Sequence, residues 1–256
     1  IIRSNCRLPE FAMGDFRAQI ASIRTGERRL TNLLKRYGAE TFKESVKLIF
    51  DQSERLARAA VRQIPDGIYE AESFMDDDGV NIGKHIPIKV RVEVSGDKMT
   101  IDLSDVSPQV AGFYNSGITA GRSAAEVVFK CVTAPLLLPI NDGSFRPLTI
   151  ILPPGRVVSA VKPAPVRVWM TVPMTVCDTI FRALAPALPD RVPAAHKGDM
   201  GGYAIFGMNS KTGRRYVCQN IIGGGWGGRP FEDGVSAAVS MCQGDVKNTP
   251  IELQEL

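Results

Sequence analysis

Apolar side chains recur every third or fourth position along the first quarter of the chain and every second position soon after it. That change of period predicts the order of elements. Phe16, Ile20, Ile23, Leu30, Leu33, Leu34 and Tyr37 share one helical stripe. Gly38 supplies the stop, because a residue without a Cβ enters the left-handed region at no steric cost. A second stripe follows through Phe42, Val46, Ile49, Phe50, Leu56, Ala60 and Val61, and it ends at the turn signal Pro65-Asp66-Gly67. The two predict an antiparallel helical hairpin over residues 1–64, its stripes facing each other or a shared sheet. Ile86, Ile88, Val90, Val92 and Val94 then alternate with Pro87, Lys89, Arg91 and Glu93, the pattern of a half-buried strand. Gly96-Asp97 turns the chain into Met99–Leu103, a hairpin partner. Residues 119–134 read as a buried helix, and Leu148–Leu152 as a short strand closed by Pro153-Pro154-Gly155. A helix is expected from about Thr175 to Leu184, and a hairpin from Tyr203–Met208 and Arg215–Ile222 around Lys211-Thr212-Gly213. No internal repeat or low-complexity linker divides residues 65–256. The expected class is α+β: an N-terminal helical hairpin, then mixed, largely antiparallel strands with further helices.

Composition narrows the function classes. With 256 residues, 44% hydrophobic and 23% charged, the chain has a globular profile and no apolar run near the ~18 residues of a membrane span. No membrane role is expected. The five cysteines are odd in number and widely spaced with no Cys-x-x-Cys, which argues against a disulfide framework or a cysteine zinc site and for a reducing cytoplasm. A net charge of +4 is too small to argue for nucleic acid, and no nucleic-acid partner is expected. The charge is uneven, with 13 Lys and Arg against 7 Asp and Glu in residues 1–62. That segment suits an acidic partner, or it is the solvated faces of amphipathic helices. The chain opens Ile1-Ile2-Arg3 with no initiator Met and no signal-peptide pattern, and it reads as the middle of something longer.

Few residues offer chemistry on their own. Gly223-Gly224-Gly225-Trp226-Gly227-Gly228 formally satisfies Gly-x-Gly-x-x-Gly through Gly223, Gly225 and Gly228. Arg229-Pro230-Phe231 follows instead of a helical period, so no helix N-terminus is offered to a pyrophosphate. The glycines imply unusual backbone angles or a close approach, either as tight packing between segments or as the lining of a substrate channel. Asn141-Asp142-Gly143 opens a turn in which Arg146 could hold a carboxylate or clamp a carbonyl. Asp233-Gly234 and Asn248-Thr249-Pro250-Ile251-Glu252 are two more polar loops. His196-Lys197-Gly198-Asp199 gives a His-x-x-Asp spacing, which chelates a metal only with further ligands; the one other histidine, His85, sits beside Lys84. No Gly-x-Ser-x-Gly elbow and no recognisable Cys-His spacing supports a nucleophile.

Taken in order, these loops resemble a family. Gly14-Asp15-Phe16-Arg17-Ala18-Gln19-Ile20-Ala21 is followed by Tyr37-Gly38, Pro65-Asp66-Gly67-x-Tyr69, Asp102-x-Ser104 and Pro108-Gln109. Next come Asn115, Asn141-x-Gly143-x-x-Arg146-Pro147, Pro153-x-Gly155, Pro163-x-Pro165, the glycine run, Asp233-Gly234 and Asn248-Thr249-Pro250-x-Glu252. The series is similar to the hydantoinase B/5-oxoprolinase B-subunit family, which includes acetone and acetophenone carboxylase subunits. Asp102-Leu103-Ser104-Asp105-Val106 departs from the family's usual Asp-Phe-Ser-Gly-Thr, with charge where a glycine turn is expected.

The resemblance implies the central section of a B component in an ATP-dependent cyclic-amide hydrolase of hydantoin or 5-oxoproline type. An A-type partner would bind ATP and phosphorylate the carbonyl oxygen of a small cyclic amide, and the assembly would be a hetero-oligomer. Amide resonance makes a lactam carbonyl a poor electrophile, and O-phosphorylation removes that resonance. The family's divalent metal, which would activate water, is expected outside this segment, so no metal is expected here and His196 and Asp199 are only weak candidates. The alternatives are a subunit of an acetone- or acetophenone-type carboxylase and a non-catalytic scaffold. Asn115, Asn141, Arg146, Gly223, Gly225, Gly228, Asp233 and Glu252 are expected to cluster as loop architecture or substrate-side lining.

Overall fold

A computed structural model describes residues 1–6, 9–133, 140–167, 170–198 and 201–238. The chain divides into two compact units, residues 1–52 and residue 53 onward. The division falls inside a helix.

The first unit holds α1 (Ile2–Asn5), α2 (Pro9–Tyr37) and the start of α3 (Ala39–Val61). Pro9 suits the first position of α2, where its missing N–H would have had no helical partner. Glu10 in the first turn and Lys35 and Arg36 in the last complement the helix dipole. Gly38, at φ +82°, breaks the helix as expected. Both helices stand where the periodicity places them. No residue of α2 is buried, and Phe16, Ile20, Leu30, Leu33, Leu48 and Ile49 are all exposed. Local spacing and caps suffice to specify a helix, whereas burying its stripe needs an opposing surface. Residues 1–52 do not supply one.

In the second unit Ala57 and Val61 on the last turns of α3, and Ile64 beyond them, enter the hydrophobic core. A mixed four-stranded sheet follows, from β1 (Gly67–Met75), β2 (Ile86–Ser95), β3 (Lys98–Asp102) and β4 (Leu148–Ile151), in spatial order β1-β2-β3-β4. The first two pairings are antiparallel. β3 and β4 are parallel, as a connection through α4 (Ile118–Thr133) requires. The α+β class with N-terminal helices and a largely antiparallel sheet is therefore as expected.

One face of the sheet is core. Ile88, Val90, Val92, Val94, Met99 and Ile101 pack in one cluster with Val128 and Phe129 of α4 and Val176, Ile180 and Leu184 of α5 (Thr171–Leu184). Ile88→Val removes one buried methylene from this layer and is expected to lower stability by about 1 kcal/mol in urea unfolding. The other face is polar, where the register sets Glu72 opposite Lys89 and Glu70 opposite Arg91, with ion pairs of 3.3 and 3.8 Å.

Two elements differ from expectation. The sequence pattern does not reveal β1, because Ile68 and Phe74 are exposed on the face opposite Ala71 and Met75, which hides the alternation. α5 begins at Thr171, ahead of Thr175, because Pro173 lies in the first turn, where a backbone N–H is not needed. Arg58 joins Glu54 on its own helix to Asp97 in the β2–β3 turn, with N···O distances of 2.8 and 3.0 Å. The second sheet is the expected hairpin, β5 (Gly201–Met208) with β6 (Arg215–Ile222), its turn closed by Lys211 and Thr212 N–H groups donating to Asn209 Oδ1.

Candidate functional site

A helix buried on nearly every side has little room for charge, and α5 carries one acid in such a place. Met174, Val176, Cys177, Ile180 and Leu184 are fully buried, yet Asp178 stands among them. Its side chain keeps 20% of its surface exposed because α5 forms one wall of a cleft of about 810 Å³. The end of β1 with Asp76 and Asp77 makes a second wall, and residues 192–195 with Lys197 and Gly198 make a third. Phe74 and Tyr114 add aromatic surface.

Asp178 is held by His196. Nδ1 of the imidazole lies 2.6 Å from Asp178 Oδ1, and the His196 backbone N–H points to the same oxygen at 3.5 Å. An ionised carboxylate only accepts, so Nδ1 carries the proton in this pair. The imidazole is 1% exposed, and its Nε2 is buried without a hydrogen-bond partner among the described residues. Among these residues the ring is thus tied at one nitrogen alone, and that tie fixes the carboxylate on the cleft wall.

The glycine run sits behind this wall. Ala194 N–H donates to Gly228 O, Gly227 N–H to Ala195 O and Lys197 N–H to Gly225 O, at 2.8 to 3.2 Å. On the other side Gly225 N–H donates to Ala238 O and Trp226 N–H to Val235 O. Residues 223–228 are therefore the middle of three hydrogen-bonded segments. A Cβ at Gly227 would overlap the Ala194 carbonyl, and one at Gly223 the Ala237 carbonyl; Gly225 has φ +95°. Tight packing is what these glycines do, and through it they support the segment bearing His196.

The remaining sequence candidates occupy other neighbourhoods. Asn115 is fully buried; its Oδ1 accepts from Val110 N–H, and its Nδ2 donates to the carbonyls of Val110, Gly112 and Pro165. Asn141 caps the short 3₁₀ turn Asp142–Phe145 by accepting from Gly143 N–H, and its Nδ2 donates to Ser53 Oγ. Arg146 pairs with Glu54 at 2.8 Å. Arg146 first, and then Arg58, holds the Glu54 carboxyl below its ordinary range. Asp233 is exposed on a loop beyond the glycine run. Asp199 and Glu252 lie outside the described residues. Asp178 was missed, and its signal was available: a lone acid inside the apolar run Val176-Cys177-Asp178-Thr179-Ile180.

Among the described residues no three His, Cys, Asp or Glu side chains come together so as to hold a metal ion. Asp178 and His196 pair through Nδ1 and Oδ1, and two donors are too few to make a metal site by themselves. No described helix is long and apolar enough to cross a membrane.

The chain as a whole is similar to known proteins. The chain is 30% identical to caprolactamase subunit beta of Pseudomonas jessenii, over 100% of its own length and 44% of that protein. A crystal structure of ATP-dependent caprolactamase from the same organism superposes with a TM-score of 0.83, covering 98% of this chain and 43% of that one. The acetophenone carboxylase delta subunit of Aromatoleum aromaticum is 25% identical, over 90% of this chain and 35% of that protein. The chain thus spans less than half the length of the curated relatives it matches. The Hydantoinase B/oxoprolinase family matches all of residues 1–256, and the chain belongs to that family.

Proposed function

We propose that this chain is part of the B component of an ATP-dependent cyclic-amide hydrolase, working in the cytoplasm with an ATP-binding A-type partner on lactams of the hydantoin or 5-oxoproline type. The observation that carries the reading is the similarity to a caprolactamase subunit along the whole chain, at both the sequence and the fold level. Carboxylase subunits share the family, but the one named above covers less of this chain at lower identity.

The cleft has the chemistry a small cyclic amide needs. A lactam offers an apolar ring, one carbonyl acceptor and one N–H donor, and the cleft offers aromatic walls, a cation in Lys197 and a carboxylate in Asp178. Amide resonance protects the carbonyl from water, so opening the ring needs activation, which ATP supplies through the partner. The described side chains do not make a metal site, and no step through a metal is assigned to them.

The complete B subunit with its partner, given 5-oxoproline, hydantoin or 2-piperidone, is expected to release the ring-opened acid only when ATP is present. Bicarbonate-dependent consumption of ATP with a ketone, and none with a lactam, would replace this reading by the carboxylase one. Failure with both classes would leave the scaffold role.

A further inference from the structure

Most polar groups on the cleft wall are occupied by the protein itself. The hydroxyls of Thr175 and Thr179 donate back to helix carbonyls, to Thr171 O at 3.0 Å and Thr175 O at 2.6 Å. Arg182 donates to Glu72 O at 3.1 Å, and Lys197 Nζ to Ile222 O at 3.0 Å. Both carboxylate oxygens of Asp77 accept backbone N–H groups, from Gly79 and Gly83. Asp178 differs. Oδ1 takes both bonds from His196, and among the described residues Oδ2 takes none.

That oxygen, on a carboxylate four-fifths withdrawn from water, opens on the cleft and is free to accept from a bound molecule. We propose that Asp178, oriented by the buried His196, is the specificity-determining residue that selects cyclic amides by accepting the ring N–H at Oδ2. This rests on the lactam reading above and deepens it. A carboxylate has no donor of its own, so it cannot bind a lactam through the carbonyl. A ketone or an N-substituted lactam presents no N–H and leaves Oδ2 desolvated and unpaired, which a site built around that bond rejects. His196 is a positioning residue. Its Nδ1–H fixes which oxygen stays open, and its Nε2, partnerless among the described residues, adds no second bond there to compete for the ring's orientation.

The test uses the complete subunit with its partner and two probes of similar shape, 2-piperidone and N-methyl-2-piperidone. Binding is read by calorimetry, and ring opening by KM and kcat. The wild-type enzyme is expected to prefer the N–H probe by about tenfold or more. D178N keeps an oxygen for His196 and turns an NH2 group toward the ring N–H. It is expected to raise KM for 2-piperidone by about tenfold or more, with affinity for the N-methyl probe unchanged, so that the preference collapses. D178S makes the same comparison if D178N does not fold. H196N retains a donor toward Asp178 and keeps most of the preference, whereas H196A loses it. The same preference in wild type and D178N, with lactam opening intact, overturns the role of Asp178 and leaves the hydrolase reading standing. A wild-type complex that neither binds nor opens 2-piperidone or any other cyclic amide overturns both.

Discussion

If the chain serves a lactam hydrolase as proposed, Gly227→Val is expected to reduce lactam opening by the complete subunit with its partner about a hundredfold in kcat/KM while the main sheet keeps its stability. Gly227 lies in the middle one of the three segments behind the cleft wall, and even a methyl there would overlap the Ala194 carbonyl. Backbone cannot yield as a flexible side chain does. The segment 194–198 must therefore move, carrying with it the His196 tie to Asp178. A misplacement near 1 Å at a reacting site costs on the order of a hundredfold. Residue 227 lies outside the cluster that holds β1–β4, α4 and α5 together, so far-UV circular dichroism and the urea midpoint should change little. Gly26→Ala is the control, because its added methyl meets nothing within 4 Å and it lies in a helix where alanine is preferred. Wild-type kcat/KM in the valine variant would show that these segments do not support the site.

The second large effect concerns the loop between β1 and β2. Asp78 is only 2% exposed, and its carboxylate accepts from Val80 N–H, Asn81 N–H, Asn81 Nδ2 and Gly112 N–H, at 2.6 to 3.1 Å. The Asn81 N–H is the largest influence holding its acid well below the ordinary value of 3.8, against the opposing effect of burial. Gly112 is required because a Cβ there would overlap the Asp78 carbonyl. Asp78→Asn puts an NH2 group where donors converge and is expected to lower the melting temperature by several degrees at neutral pH.

The pH dependence follows from the direction of the shift. A carboxyl whose folded pKa is depressed binds its proton more readily in the unfolded chain. Its stabilisation is complete above 3.8 and is lost as pH falls from there toward the lowered folded value. The wild-type melting temperature should thus fall with acid more steeply than that of Asp78→Asn, and the two curves should converge. Parallel curves between neutral and acid pH would remove Asp78 from the account.

Much of the fold was legible because single periods dominated its elements. β2 alternates cleanly through Ile88, Val90, Val92 and Val94, and α4 lies within one residue of its expected bounds. β1 was not legible, because one of its faces carries Ile68 and Phe74 beside Glu70 and Glu72. The stripes of α2 and α3 correctly predicted helices, but amphipathicity names no partner, and within residues 1–52 the stripes find none.

The site was legible only from behind. The glycine run stood out because its backbone approach demands glycine, and the structure puts it one layer outside the cleft. Asn115, Asn141 and Arg146 fasten separate loops by their bonds, so they do not meet at one point. His196 drew notice as half of a His-x-x-Asp spacing. Its working partner in the fold is Asp178, eighteen residues earlier on α5, and no local spacing could have paired them.

The proposed lactam-hydrolase function is tested most directly by the stoichiometry of the complete subunit and its proposed ATP-binding partner with a lactam and ATP, in buffer depleted of bicarbonate. The expected result is one ADP released for each ring opened, with no product when ATP is withheld. ADP release that requires bicarbonate and yields no amino acid from any lactam would contradict it.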